Sequence, residues 1–208
     1  MQDSATLAAF ALTAIAIVMS PGPDTLLILR YGLVSGRRAA FAAVAGVQIG
    51  LIVHTALAIA GLSALIAASP SLFGGVAIAG ALYLGWLGVE ALRAPPLMDD
   101  ETARPPASAR KACRDAVLTN ILNPKVILLF VALYPNFIVL GRGDVTRQLL
   151  VLSALLIAIN LMWQLPLAWA AKSVRAWLGR ASVQRRVSRL AGAILLAFAV
   201  LILIEHVI

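Results

Sequence analysis

Residues 19–25 read "MSPGPDT", and they interrupt an apolar run that otherwise extends from Ala5 to Leu29. Two prolines, a glycine and an acidic residue stand where a helix in lipid tolerates them least, because each freed backbone group costs several kcal/mol there. The stretch predicts a break in a membrane helix. The rest of the chain indicates what such a break is for.

The composition of the chain is that of an integral membrane protein. Of its 208 residues, 62% are hydrophobic and 12% are charged, and the mean hydropathy is +0.96. Ordinary globular domains have roughly 45 to 50% apolar and about 25% charged residues. The net charge of +8 could indicate a nucleic-acid partner, but the basic residues fall between apolar segments, so membrane topology explains them better. We therefore expect a lipid bilayer and no nucleic acid as partner.

The few cysteines and histidines argue against metal and thiol chemistry. Cys113 is the one cysteine of the sequence, and His54 and His206 are its two histidines. A structural metal site needs several such ligands, and a redox pair needs two thiols. We expect no metal site, no cofactor and no internal disulfide.

Six apolar segments are long enough to cross roughly 30 Å of hydrocarbon, which takes about 20 residues. They are residues 5–35, 39–67, 72–92, 114–140, 148–171 and 190–208. The longest connection, "RAPPLMDDETARPPASARK" from Arg93 to Lys111, is proline-rich and charged, which favours a flexible linker. The prediction is an all-α membrane protein of one domain, 1–208, made of a first repeat (1–92), a cytoplasmic linker (93–113) and a second repeat (114–208).

Lysine and arginine are distributed unevenly among the connections. Odd-numbered loops hold 14 basic residues and even-numbered loops hold 2. The positive-inside rule then places the odd loops in the cytoplasm and both termini outside it. Because each half has an odd number of spans, the second half enters the membrane inverted relative to the first. We therefore expect a 3+3 inverted repeat.

The fourth span carries a second interruption that matches the first. Its sequence "TNILNPKVILLF" places Asn123, Pro124 and Lys125 near the middle of the span, as Pro21 to Asp24 interrupt the first span. Corresponding breaks in corresponding helices are typical of a transporter whose binding site lies at the interface of two repeats. We expect helices 1 and 4 to be broken and their half-helices to meet.

Each break carries one ionisable residue, and Asp24 and Lys125 are therefore the leading site candidates. Free N–H groups at the start of a half-helix favour an anion such as a carboxylate, and free carbonyl groups at the end of one favour a cation. A site with both polarities suits a zwitterion, although the two residues could also pair with each other. The predicted substrate-binding residues are Pro21, Gly22, Pro23, Asp24, Asn123, Pro124, Lys125, Gln48, His54, Asn120, Asn160 and Gln164.

Structural interpretations compete with this prediction. Proline in a membrane helix often produces only a kink, and Asp24 could cap the helix that follows it. Amide and imidazole side chains commonly bond neighbouring helices together, and a lone histidine such as His54 is more often structural than a proton relay. Gly46 and Gly50 form a GxxxG motif, which predicts close helix packing. Two matched breaks, each with a charge, favour a binding site over a kink.

Three segments of the chain are similar to those of a known family. They are "SPGPDTLLILRYGLVSGRRAAFAAVAGVQIGLIVHTALAIAGLSAL", "YLGWLGVEALR" and "NILNPKVILLFVALYPNFI". Over essentially its whole length the chain resembles the lysine exporter (LysE/RhtB) family of bacterial amino-acid efflux proteins, and the PGP and NPK motifs in this order are a specific pair. The resemblance implies export of amino acids or related small metabolites across the bacterial inner membrane, with protons as coupling ion, and it allows for a homodimer.

The resulting hypothesis is a secondary transporter, not an enzyme, that exports neutral or basic amino acids by alternating access around the two broken helices. Asp24 would recognise the amine of the substrate or take the coupling proton, and Lys125 would hold the carboxylate. Three alternatives stay open. They are a metal-ion exporter of the same superfamily, an intramembrane enzyme with His54 and Asp24 as an acid/base pair, and a scaffold that transports nothing.

Overall fold

The structure, a computed structural model, is built from α-helices. It describes residues 4–20, 22–68, 70–93, 106–141, 144–171, 173–174 and 180–207. These residues contain no β-strand, and their α-helices are α1 (Ser4–Met19), α2 (Pro23–Val34), α3 (Arg37–Ala68), α4 (Pro70–Arg93), α5 (Ala109–Ile121), α6 (Pro124–Leu128), α7 (Val145–Trp169) and α8 (Ala181–Val207). A π-helix (Leu129–Leu133) and a 3₁₀-helix (Tyr134–Phe137) continue α6. The predicted all-α fold class is confirmed.

Within the described residues, three helical segments are long and apolar enough to cross a membrane by themselves. They are Arg37–Gly61, Val145–Trp169 and Arg185–Ile204. Two bent pairs meet the same criterion when each pair is taken as one span, so the described residues hold up to five candidate spans. The predicted third span, 72–92, lies on α4, which is not among the spans found within the described residues. Six spans in an inverted repeat therefore stay a prediction.

The first helix breaks where its backbone hydrogen bonds cannot continue. The N–H of Ser20 still bonds the carbonyl of Ala16 at 3.2 Å, which completes the last turn of α1. Gly22 is extended, and α2 begins with Pro23, which has no N–H to donate and is suited to a first helical position. The axes of α1 and α2 differ by 52°. The predicted break is present, and Pro21 itself lies outside the described residues.

The second break also lies where a half-helix begins with a proline, but here a side chain caps the half-helix. Helix α5 ends at Ile121, α6 begins at Pro124, and the chain bends by 58° between α5 and the segment Lys125–Phe137. The side chain of Asn123 accepts a hydrogen bond of 3.1 Å from the N–H of Lys125 and so caps α6. The start of α2 has no side-chain cap. The N–H groups at the start of α2 are therefore the more available of the two sets.

Two helices begin five or more residues earlier than the predicted spans. Helix α5 starts at Ala109 instead of 114, because Ser108 caps it by accepting a hydrogen bond of 3.3 Å from the N–H of Lys111. Helix α8 starts at Ala181 instead of 190. The parts of these helices that precede the predicted spans carry basic side chains, Arg110 and Lys111 in α5 and Arg185, Arg186 and Arg189 in α8. A criterion based on apolar length excludes such segments even where the helix continues through them.

Glycines set the closest helix crossings. A Cβ atom at Gly46 would collide with the backbone of α5, and one at Gly50 would collide with the side chain of Asn120. The backbones of α3 and α5 therefore come into near contact, as the GxxxG motif predicted. A Cβ atom at Gly192 would lie 2.6 Å from the carbonyl oxygen of Gly88, so α4 and α8 cross in the same close way.

Two clusters of buried side chains hold the helices together. One cluster includes Phe10 of α1, Leu195 of α8 and much of the segment 126–138. The other includes Ile28 of α2 and Ala116 of α5, together with residues of α3 and the end of α7. Each break therefore carries the chain from one cluster to the other.

Candidate functional site

The two breaks lie against each other. The ammonium group of Lys125 donates a hydrogen bond of 2.7 Å to the carbonyl oxygen of Ser20, directly after α1. A Cβ atom placed on Gly22 would lie 3.7 Å from the same nitrogen. The end of a helix attracts a positive charge because its last carbonyl groups have no partner along the helix. Lys125, at the start of α6, therefore stabilises the end of α1.

Asp24 makes the reciprocal contact. It lies in the first turn of α2, where a negative charge is favoured. Its Oδ2 accepts a hydrogen bond of 2.8 Å from Nδ2 of Asn120, near the end of α5. Its Oδ1 is buried and has no hydrogen-bond partner among the described residues. Buried polar atoms are almost always bonded, so this oxygen is positioned to meet a proton, a water molecule or a ligand.

The two charged groups do not pair with each other. Lys125 joins α6 to the end of α1, and Asp24 joins α2 to the end of α5. Asp115 of α5, by contrast, forms ion pairs, since its carboxylate lies 2.7 Å from Lys111 and 3.2 Å from Arg114. The opposite charges of the two breaks are therefore both able to face a bound molecule.

A cavity of about 40 Å³ lies at the two breaks. Its polar lining residues are Ser20, Gly22, Asp24, Thr25, Asn123, Lys125, Asn160 and Gln164, and its apolar lining residues are Ile17, Val18, Leu51, Val126, Leu129 and Leu156. Such a volume holds about three water molecules, at roughly 10 to 15 Å³ for each. Both charges thus face one shared space, which has to widen before it can hold a larger solute.

Three amide side chains form a bonded group beside the cavity. Nε2 of Gln48 donates to Oδ1 of Asn160 and to Oε1 of Gln164, each at 3.1 Å. Asn160 and Gln164 lie one turn apart on α7 and are both buried in the cavity wall. Gln48 does not line the cavity as described, and its Oε1 is buried without a partner among the described residues. Gln48 therefore orients the side-chain amides of Asn160 and Gln164 from the side that faces away from the cavity.

His54 contacts Asn120, which in turn contacts Asp24. Its side chain is buried, its Nε2 lies 3.3 Å from the carbonyl oxygen of Asn120, and its ring stacks on Phe130 with the centroids 5.4 Å apart. Asn120 is fully buried and bonds Asp24 in turn. Neither His54 nor Asn120 is part of the described cavity wall. Both residues support the carboxylate instead of facing the cavity.

Half of the predicted site residues line the cavity. They are Gly22, Asp24, Asn123, Lys125, Asn160 and Gln164. The others are Gln48, His54 and Asn120 behind the wall, Pro23 and Pro124 at the first positions of their half-helices, and Pro21 outside the described residues.

The sequence prediction missed some residues of the cavity wall. Ser20 and Thr25 belong to the first motif, and extending that motif by one residue on each side would have included them. Leu51 and Leu156 lie far from both motifs along the chain. No sequence signal separates them from the other leucines of the spans.

The donor set of the site does not suit a metal ion. Within the described residues there is no group of three or more His, Cys, Asp and Glu side chains that could hold one. The cavity wall offers the carboxylate of Asp24 with neutral amides, and the ammonium group of Lys125 would repel a cation there.

Side-chain contacts join the half-helices on both sides of the cavity. On one side the hydroxyl of Tyr31 donates a hydrogen bond of 2.7 Å to Asp115, which joins α2 to α5. On the other side the ring of Phe10 in α1 packs edge-on against Tyr134 and Phe137, with the centroids 5.6 and 5.3 Å apart. At about 1.5 Å per residue, the polar contact lies roughly 9 to 12 Å along its helices from the breaks, and the contact of Phe10 with Tyr134 roughly 14 to 15 Å. The cavity is thus bordered by a polar contact and by an aromatic one.

Comparison with known proteins gives the family. The profile described as LysE type translocator matches residues 15–206, which is most of the chain. The chain belongs to the LysE type translocator family. This LysE-family protein is therefore a membrane transport protein and not an enzyme.

Several curated proteins are similar to the LysE-family protein over 60% or more of its length. An uncharacterised membrane protein of Bacillus subtilis, YrhP, is 33% identical over 94% of this chain and 97% of its own. The homoserine/homoserine lactone efflux protein of Salmonella typhimurium is 29% identical over 93% of this chain and 94% of its own. The leucine efflux protein of Klebsiella pneumoniae is 38% identical over 60% of this chain and 59% of its own. No solved structure gives a significant match.

Proposed function

We propose that this LysE-family protein is a secondary transporter that exports amino acids, neutral or basic, from the bacterial cytoplasm. The observation that carries the proposal is the cavity where the breaks meet, with the ammonium group of Lys125 and the carboxylate of Asp24 on its wall. The carboxylate and the amine of an amino acid match these two charges. The names of the similar homoserine and leucine efflux proteins support the direction and the class of cargo.

In the proposed binding mode, Lys125 and the start of α2 hold the carboxylate of the substrate. A lysine side chain has three N–H donors, and Lys125 uses one of them on Ser20. The start of α2 has no side-chain cap, so its first N–H groups add positive potential to the same region. Asp24 recognises the amine through its unpartnered Oδ1 or takes the coupling proton there.

The proposed cycle is alternating access around the breaks, coupled to protons. Opening the contact between Tyr31 and Asp115 would expose the cavity on one side, and opening the contact between Phe10 and Tyr134 would expose it on the other. In the proposed topology six spans, with α4 as the third, form a 3+3 inverted repeat in the inner membrane. The same topology has both termini outside the cytoplasm, as the positive-inside rule predicts, and the family resemblance allows for a homodimer.

Transport by purified protein in liposomes tests the proposed function. Vesicles loaded with a mixture of radiolabelled amino acids are diluted into label-free buffer, with and without a pH difference across the bilayer. We expect at least one amino acid to leave faster than from protein-free vesicles, and we expect the pH difference to accelerate it. Protein that accelerates no amino acid in either condition would contradict the proposal.

Two variants without the charges test the site. Asp24→Asn and Lys125→Met are expected to slow transport tenfold or more, because an interaction with a charged group contributes about 1.5 to 3 kcal/mol and about 1.4 kcal/mol is a factor of ten. Asp144→Asn is the matched control, because Asp144 is exposed, caps α7 away from the cavity wall, and asparagine caps equally well.

The Asp24→Asn variant also separates the two roles proposed for the carboxylate. Exchange of labelled for unlabelled amino acid at equal pH needs substrate binding but no net proton movement. A variant that keeps exchange but loses acceleration by the pH difference assigns the coupling proton to Asp24, and loss of both assigns Asp24 to the amine. Wild-type rates in both Asp24→Asn and Lys125→Met would show that the site lies elsewhere.

A further inference from the structure

The charges of the cavity balance one zwitterion. Among the described residues its wall carries one carboxylate, Asp24, and one ammonium group, Lys125. A bound amino acid with a neutral side chain places its amine beside the first and its carboxylate beside the second, so that no charge is left alone. A basic or acidic side chain would bring a further charge into the same small space without a partner, which costs several kcal/mol.

The hydrogen-bond acceptors of the wall also favour a ligand with a single ammonium group. Oδ1 of Asp24 is the buried side-chain oxygen of the wall that accepts no hydrogen bond from the described residues. The side-chain oxygens of Asn160 and Gln164 already accept from Gln48, and that of Asn123 accepts from a backbone N–H. An ammonium group has three donors to satisfy. The unbonded acceptor Oδ1 of Asp24 therefore suits the α-amine. A second ammonium group at the end of a side chain would have to use the hydroxyls of Ser20 and Thr25 or share amide oxygens that already accept a hydrogen bond.

Apart from Ser20, Gly22 and Thr25 at the first break, the rest of the described wall is aliphatic. It consists of Ile17, Val18, Leu51, Val126, Leu129 and Leu156. These side chains come from α1, α3, α7 and the second half of the other broken helix, so they meet from several directions. Burial of a valine-sized or leucine-sized side chain away from water stabilises by about 1.5 to 3 kcal/mol. A hydroxyl or amide side chain would gain less against such a surface.

We infer that the cargo is a neutral amino acid with an aliphatic side chain, because its two α-substituents use the whole charge of the site. The inference rests on the proposed function and narrows its substrate class from neutral or basic amino acids to neutral aliphatic ones. The amides Asn160 and Gln164 then act as a neutral part of the wall, which makes them the positions where an added charge should change the selectivity.

Exchange assays with the purified protein in liposomes at equal pH test the inference. We expect kcat/KM for leucine to exceed that for lysine and for glutamate at least tenfold, and that for serine severalfold. Asn160→Asp and Gln164→Glu each add a carboxylate to the wall with little change of shape. Either variant is expected to raise lysine exchange relative to leucine exchange at least tenfold. Asn160→Leu removes the amide without adding charge, and it is expected to keep the order leucine above lysine whatever its rate.

The outcomes separate the inference from the proposed function. Wild-type exchange of lysine or serine as fast as leucine overturns the inference and leaves amino-acid export standing. Absence of a lysine gain in both carboxylate variants, each folded as judged by size-exclusion chromatography, overturns the charge-balance argument. If one variant does not fold, the other and the wild-type comparison decide. Exchange of no amino acid at all contradicts the proposed function itself.

Discussion

Replacement of Gly50 by alanine tests whether the crossing of α3 and α5 positions the carboxylate of Asp24. A Cβ atom at Gly50 would lie 2.8 Å from Cβ and Cγ of Asn120, closer than such atoms approach in proteins. Asn120 is fully buried, so its side chain has no solvent space into which it could move. It has to shift away from its hydrogen bond of 2.8 Å to Asp24. We expect Gly50→Ala to lower both protein stability and substrate affinity.

The expected change in the free energy of unfolding is the sum of opposing contributions. Overpacking a buried contact costs about 1 to 3 kcal/mol, and losing a hydrogen bond to a charged group costs about 1.5 to 3 kcal/mol. Alanine is favoured over glycine inside a helix by about 0.5 to 1 kcal/mol. The net destabilisation by Gly50→Ala is therefore about 2 to 5 kcal/mol. The part that comes from the hydrogen bond should also weaken substrate binding by about tenfold or more.

Two further glycines of α3 are matched controls. A Cβ atom at Gly46 would collide with the backbone of α5, so Gly46→Ala should lower stability and change substrate affinity less than Gly50→Ala does. A Cβ atom at Gly61 would meet nothing within 4 Å, so Gly61→Ala should lower neither. Thermal unfolding in detergent measures stability, and KM for amino-acid exchange in liposomes measures affinity. A Gly50→Ala protein with wild-type Tm and wild-type KM would refute the reasoning.

The remaining predictions concern contacts away from the cavity. Tyr31→Phe removes the hydrogen bond of 2.7 Å to Asp115, so we expect stability to fall by about 1.5 to 3 kcal/mol, and Cys113 on α5 to react faster with a maleimide as α2 and α5 separate more often. Unchanged Tm and labelling rate would contradict a closing role for this contact. Gly192→Ala should destabilise by about 1 to 3 kcal/mol, since its Cβ atom would lie 2.6 Å from a carbonyl oxygen of α4. Gly75→Ala is the control, because a Cβ atom at Gly75 would meet nothing within 4 Å. Equal Tm values for the two variants would show that α4 and α8 can move apart at little cost.

The positions of the breaks could be predicted from the sequence because their causes are local. Pro23 and Pro124 lack an N–H and suit a first helical position, so each favours a helix that begins there. The flanking Gly22 and Asn123 complete each signal, since Pro166 lies inside α7 without ending it. The GxxxG motif likewise predicted a close crossing, since a glycine removes the side chain that would keep two helices apart. The motif could not predict that α5 is the partner helix. Two glycines four residues apart show that a helix packs closely there, but they do not specify which helix it is.

Some of the predicted polar residues line the cavity and others lie behind its wall, and the sequence does not show which residue does which. Gln48 and His54 lie on α3, Asn160 and Gln164 on α7, and all four are polar residues in apolar spans. The rotation of each helix about its axis decides which side chain faces the cavity and which stands one contact behind it. Hydrophobic runs this uniform carry little amphipathic signal from which such a rotation could be read.

The sequence by itself determined that helices break at two places and that one charge of each sign stands there, because the backbone effects of proline and glycine act within a residue or two. Only the tertiary structure decided that Lys125 bonds Ser20, which lies 105 positions away, while the carboxylate of Asp24 takes Asn120 as partner. It also decided that leucines of distant spans complete the cavity wall. Such choices depend on how helices cross and rotate against one another, and that geometry arises from the packing of the whole bundle.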